Sequence, residues 1–334
     1  MSRPKILLSR AIAPEVVAHL AQHFEVRSNP QDVQWTRDEL IAQLQGQDGL
    51  LDTGTQRIDA VLLAACPQLK IVANLSVGFN NFDVSAMAAA GVQGTNAPDV
   101  LTETTADFGF ALLMATARRI CESEHYLRAG KWQSWSHDLF AGAEVHGTTL
   151  GILGMGRIGQ AIARRGAHGF GMKVIYHNRS QLTPELEADC KARYVDKQEL
   201  LRSADHLVLV LPYTAQSHHA VGAAELALMK PTATLINIAR GGIVDDAALA
   251  RALLARTIAA AGLDVFEGEP SLHPDLLEVP NVVLTPHIAS ATGPTRRAMA
   301  QLAADNLQAF FAGQGALTPV NTPDAAAARV RAAL

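Results

Sequence analysis

The stretch Thr148-Thr-Leu-Gly-Ile-Leu-Gly-Met-Gly-Arg-Ile-Gly-Gln-Ala-Ile-Ala-Arg-Arg165 decides the fold of this chain. Leu150 to Leu153 is the apolar run of a short buried strand, Gly154, Gly156 and Gly159 follow at once, and from Ile158 the apolar residues recur at helical spacing. Strand, tight turn and helix in that order predict a dinucleotide site. Gly154 serves the turn, Gly156 lets backbone approach a pyrophosphate, and Gly159 lets the helix lie close to the strand. The phosphates would rest on the N–H groups that open the helix, around Gly156, Arg157 and Ile158.

The residues after the second strand bear on which dinucleotide. An NAD site usually carries an acid there, about 20 residues on, to bind the ribose 2′-hydroxyl. Here Lys173 to Tyr176 runs into His177-Asn-Arg-Ser180, with no acid. Arg179, flanked by Asn178 and Ser180, suits a 2′-phosphate through charge-assisted hydrogen bonds. The expected cofactor is therefore NADPH, with NADH the lesser alternative. The competing reading makes Arg179 one more solvated arginine.

A chain of 334 residues suits two domains, and 49% hydrophobic with 18% charged residues is a globular composition. A net charge of −4 without a Lys/Arg run argues against a nucleic-acid partner. No apolar run reaches bilayer length and no signal-peptide pattern opens the chain, so no membrane partner and a cytoplasmic protein are expected. Cys66, Cys121 and Cys190 lie far apart without zinc-ligand spacing; inert thiols and no metal are expected.

Strands read at 5–8, 24–27, 49–52, 70–73 and 92–95, with helices between them, and again at 150–153, 173–177, 192–195, 206–211, 233–238, 259–264 and 282–285. Thr36 with Glu39 forms a capping box, Asp83, Asp196 and Asp245 are N-cap residues, and Gly91 ends a helix. Strands alternating with helices predict parallel sheets covered on both faces. Asn96-Ala-Pro-Asp99 is a break between domains. One long helix is expected from Leu101 to about Ala129, with part of its surface packed on another subunit in a homodimer. Trp132 and Trp135 read as core or interface anchors. Residues 293–312 form a helix beyond the last strand, and the alanine-rich 324–334 end frays or forms a short helix.

Four loops after strands carry polar residues that apolar packing does not explain. In Asn74-Leu-Ser-Val-Gly-Phe-Asn-Asn81, Gly78 lets N–H groups converge on a carboxylate; a plain turn explains the loop equally well. Arg240, in Ile236-Asn-Ile-Ala-Arg-Gly-Gly242, can pair with a carboxylate and polarise a carbonyl. Gly262 to Pro270 holds several carboxylates, and His287 follows the last strand. Hydride transfer to a carbonyl needs a proton donor, and a histidine with a carboxylate on its other nitrogen fills that role.

These loops, with Asp99-Val-Leu-Thr-Glu-Thr-Thr-Ala-Asp107, the glycine fingerprint and Pro286-His-Ile-Ala-Ser-Ala-Thr292, resemble the D-2-hydroxyacid dehydrogenase family over nearly the whole chain. Lys131-Trp-Gln-Ser-Trp135 and the acid-free Asn178-Arg-Ser180 are most similar to the glyoxylate/hydroxypyruvate reductases, including bacterial enzymes that also reduce 2-ketogluconate. The resemblance implies two flavodoxin/Rossmann-like, doubly wound parallel-sheet α/β domains with the active site in the cleft between them. Residues 1–98 plus 289–334 would form the substrate domain, and 99–288 the inserted cofactor domain. It implies Arg240, Glu269 and His287 as the catalytic set: Arg240 binds the 2-oxo acid, His287 protonates its carbonyl oxygen, and Glu269 orients His287. It further implies Val77 and Gly78 at the substrate carboxylate and Trp135 reaching the partner subunit's substrate. Asp264 would meet the nicotinamide carboxamide, Thr104 would lie along the cofactor, and Leu211, Pro212 and Ile238 would line its pocket. The Glu269-Pro-Ser-Leu-His-Pro-Asp-Leu-Leu277 loop is shorter than in many relatives, and His273 within it reads as structural. The alternatives are a cofactor-sensing corepressor of the same fold, or a family dehydrogenase acting on phosphoglycerate, formate or phosphite.

Overall fold

The computed structural model describes residues 3–332, which divide into two compact units: one up to Leu101 and again from Ala291, the other Thr102–Ser290. The first unit is built on β1 (Lys5–Leu8), β2 (Glu25–Arg27), β3 (Gly49–Asp52), β4 (Ile71–Asn74) and β5 (Gln93–Thr95). All pairs are parallel, in the order β2-β1-β3-β4-β5. Successive side chains of a strand point to opposite faces, and both faces of the inner strands β1, β3 and β4 are covered, which is why these three are mostly apolar. Ile6, Leu8, Leu51 and Ile71 pack with Val16 and Leu20 and with Ala303 and Leu307 of the Gly293–Phe311 helix. Leu7, Leu50 and Val72 pack on the opposite side with Leu40, Leu62 and Met87. The 324–334 tail forms a helix, Ala325–Ala332, and its last two residues lie outside the described ones. Arg331 pins it by donating to the carbonyls of Leu63, Cys66, Leu69 and Ala90.

The second unit carries β6 (Thr149–Leu153), β7 (Lys173–His177), β8 (Ala192–Tyr194), β9 (His206–Leu209), β10 (Thr234–Asn237), β11 (Ala260–Leu263) and β12 (Val282–Leu284). They form an all-parallel sheet in the order β12-β11-β10-β9-β6-β7-β8. The winding reverses between β6 and β9, and ligands of open α/β sheets bind at the carboxyl edge of such a reversal. Because every strand points the same way, the glycine turn after β6 and the loops of Asn178, Leu211, Arg240, Asp264 and His287 all leave that one edge.

The single helix expected over 101–129 is two helices, Thr102–Ala117 and Ile120–Arg128. Arg119 breaks them with a left-handed φ of 53°, held by two hydrogen bonds to Glu122 and by stacking of its guanidinium on Phe140 at 5.0 Å. The carbonyl of Ala117 accepts from the Ala143 N–H instead of continuing the helix, and Gly142 passes too close to it for any Cβ. Trp132 and Trp135 are not core residues: they are 54% and 76% exposed.

Candidate active site

The glycine turn is shaped by contacts only glycine permits at two of its three positions. Gly154 has φ +103°, and a Cβ there would lie 2.7 Å from the Leu211 nitrogen. A Cβ on Gly159 would lie 2.5 Å from the Gly154 carbonyl oxygen. Gly156 differs: it is the N-cap of the Arg157–Arg164 helix, no side chain caps it, and nothing stands within 4 Å of where its Cβ would be. An uncapped helix start facing open space fits a pyrophosphate, and Gly156, Arg157 and Ile158 are the residues that would hold it. Asn178 takes a part the sequence did not suggest, its Oδ1 accepting from the Met155 N–H at 2.6 Å and so tying the end of β7 to the glycine turn. Arg179 and Ser180 are exposed beside it, and Arg179 makes no ion pair among the described residues. Ile238 is buried, while Leu211 is half-buried and Pro212 exposed. Thr104 lies in the first turn of the Thr102–Ala117 helix.

Three loops bring Arg240, Glu269 and His287 to one place within the second unit. Asn237 at the end of β10 folds the first, donating to the Arg240 carbonyl and accepting from the Ala239 N–H. Arg240 donates through Nη1 to the Ala239 carbonyl at 2.7 Å. Gly241 lies so close to the Phe266 carbonyl that no Cβ fits, which holds the Arg240 turn against the loop bearing Glu269. Glu269 accepts from the Phe266 N–H at 2.9 Å through Oε1, and Oε2 stands 2.8 Å from His287 Nδ1. Burial opposes charge on Glu269, but the His287 contact, the Phe266 N–H and the Arg240 charge outweigh it and hold the carboxyl below its ordinary range. Burial presses the proton affinity of the Arg240 guanidinium down, and the Glu269 charge opposes it. Arg240 nevertheless keeps its charge, because a guanidinium starts so far above neutral pH.

His287 has a left-handed φ of 53°, and Asp264 holds the turn that imposes it. Asp264 is fully buried; it accepts from Thr285 Oγ1 and the Ile288 N–H through Oδ1, and from the Ala289 N–H through Oδ2. Asp264 thus braces the turn that carries His287, a task beyond the expected carboxamide contact. Parallel strands put it beside Thr285, since Leu263 pairs with Leu284, and strand order is what a single sequence leaves unread. His273 caps the Pro274–Glu278 helix by accepting from the Asp275 N–H.

Val77 and Gly78 belong to the first unit. Asn96 donates to the Val77 carbonyl at 2.7 Å, and Asn74 and Ser76 donate to that of Gly78. With both carbonyls engaged, their N–H groups have no acceptor among the described residues, the condition for a carboxylate nest. Asn81, on buried Asp52 and the Gln56 carbonyl, fixes the far end of the loop. Asn96 was missed from the sequence, because only the pairing of β5 with β4 brings it beside the Val77 loop.

No helix among the described residues is long and apolar enough to cross a membrane. The glyoxylate reductase of Thermococcus gammatolerans is 45% identical over 323 residues, 96% of each chain, and that of Thermococcus onnurineus is 46% identical over the same span. Among solved structures, the NADPH-dependent glyoxylate/hydroxypyruvate reductase of Sinorhizobium meliloti, in complex with NADP and malonate, is 40% identical with a TM-score of 0.84, covering 96% of this chain and 98% of that one. A glyoxylate reductase structure from Paecilomyes thermophila covers 96% of this chain and 99% of that one at 34% identity and a TM-score of 0.86. Residues 110–289 match the NAD binding domain of the D-isomer specific 2-hydroxyacid dehydrogenases. With residues 110–289 matched by the family's NAD binding domain and relatives that align over 96% of the chain, the chain belongs to the D-isomer specific 2-hydroxyacid dehydrogenase family, as an oxidoreductase that uses a nicotinamide cofactor.

Proposed function

We propose that this chain reduces small 2-oxo acids to D-2-hydroxy acids with NADPH, glyoxylate and hydroxypyruvate first and 2-ketogluconate as a larger candidate. The observation that carries the reading is the 2.8 Å contact between His287 and Glu269, on a carboxylate that also feels the Arg240 charge. Glu269 engages Nδ1, so Nε2 is the atom from which the imidazolium gives its proton to the developing alkoxide. A bound reduced nicotinamide supplies the hydride. Arg240 holds the substrate carboxylate and polarises the carbonyl through its guanidinium N–H groups. Asp264 holds the His287 turn, and the N–H groups of Val77 and Gly78 are the carboxylate-binding element of the first unit.

The acid-free end of β7 and exposed Arg179 support NADPH, as does the bound NADP of the Sinorhizobium enzyme. The glyoxylate reductase relatives support the substrate class. The active form in this account is a homodimer in the cytoplasm, joined through the exposed apolar side chains of Ile120, Leu127, Trp132 and Leu139, with Trp135 meeting the partner's substrate. The direct test is Arg240→Ala: kcat/KM for glyoxylate should fall by about 10²–10³-fold or more, while NADPH affinity holds within about a factor of three. A folded Arg240→Ala variant that keeps its turnover removes the assignment.

A further inference from the structure

Outside the Arg240, Glu269 and His287 set, a second group of ligating side chains stands on the same edge of the second unit's sheet. His218, His219 and Glu267 each present a ligand atom, and these atoms lie within 4.8 Å of one another. The tightest pair is His219 Nε2 and Glu267 Oε2, 3.0 Å apart, close to the edge of a coordination polyhedron whose bonds are about 2.1 Å. The His218 ring stacks on that of His219 with centroids 3.8 Å apart, and its Nδ1 lies 3.1 Å from the Tyr213 hydroxyl.

The backbone around the three residues is already arranged. His219 has a left-handed φ of 50°, and its N–H donates to the Gly242 carbonyl at 2.7 Å. A Cβ on Gly242 would lie 2.9 Å from the Tyr213 ring, so the 213–219 bend is seated on the turn that follows Arg240. The Glu267 N–H is fixed by Asp246 Oδ2 at 2.9 Å. Two imidazoles and one carboxylate are the donor set that borderline divalent cations prefer, with a position left over for water. The side chains of His219 and Glu267 are 35% and 45% exposed, so a hydrated ion reaches them from solvent.

We propose that His218, His219 and Glu267 form a site for one divalent cation of the zinc type, which ties the 213–219 loop to the loop that carries Glu269. Calorimetric titration of the intact protein with zinc chloride should show one saturable site per chain, and saturation should raise the thermal unfolding midpoint. His219→Asn, which tolerates the left-handed backbone, and Glu267→Gln should each weaken that site at least about tenfold and abolish the thermal shift. His218→Asn is the independent third ligand and should behave alike. The competing histidine pair is His19 and His23 on the Pro14–His23 helix, with ring centroids 5.5 Å apart; replacing both with Asn should leave the zinc site intact. A wild-type protein without a saturable site overturns the proposal. So does zinc binding that survives the His218, His219 and Glu267 variants or disappears with His19 and His23.

Discussion

Asp246, the first residue of the Asp246–Leu254 helix, accepts from the N–H of Glu267 two residues before Glu269, and their surroundings push the two carboxyls in opposite directions. Glu269 has a histidine and an arginine to stabilise its charge, and is held below the ordinary carboxylate range against its burial. Asp246 is 3% exposed; burial raises it to about 6, the Glu267 charge adds to this, and the Glu267 N–H offsets only part. A carboxyl raised on folding binds more protons in the native than in the unfolded state between about pH 4 and pH 6. Its contribution to stability therefore falls as pH rises through that window and is lowest above it. Asp246→Asn keeps an acceptor for the Glu267 N–H and removes the buried charge. Relative to wild type it should gain up to about 3 kcal/mol at pH 7.5 and little near pH 4, read from urea unfolding at the two pH values. An offset that does not change with pH would contradict this account of Asp246.

At the scale of elements, the glycine turn is the piece on which the rest of the second unit depends. Gly154→Ala places a side chain at φ +103° and against the Leu211 nitrogen, and should cost about 1–3 kcal/mol, lowering the unfolding midpoint by several degrees along with cofactor affinity. An unchanged midpoint would show that the turn relaxes freely. This turn was legible from sequence because its requirements are local: a buried strand, a left-handed glycine and a helix start follow one another along the chain. The N-caps at Asp83, Asp196 and Asp245 were legible for the same reason, each accepting from an N–H three residues on. The helix break was not. Arg118 and Arg119 are good helix formers, and the carbonyl that would continue the helix is claimed by the N–H of the distant Ala143, with Gly142 leaving room for the approach. The bracing role of Asp264 and the part played by Asn96 were missed likewise, because their partners come from adjacent strands rather than adjacent residues.

For the whole molecule, both parallel sheets were readable from the alternation of strands and helices, while their strand orders had to come from the structure. Among the exposed apolar side chains, Ile120 and Leu127 of the Ile120–Arg128 helix, at 51% and 58%, and Trp132 just after it, at 54%, follow one another along the chain. Sedimentation equilibrium should return twice the mass of one chain, and Leu127→Glu should shift it toward the monomer; a monomeric wild type would refute the dimer. The proposed reaction, NADPH-dependent reduction of a 2-oxo acid, is read at its source by the loss of nicotinamide absorbance on adding glyoxylate. NADPH and NADH should be compared at equal concentration. NADPH should be oxidised rapidly in a glyoxylate-dependent way, at a kcat/KM at least about tenfold above that for NADH, the equivalent of roughly 1.4 kcal/mol from the Arg179 contact to the 2′-phosphate. Preference for NADH, or no oxidation of either cofactor by a protein that binds them, would contradict it.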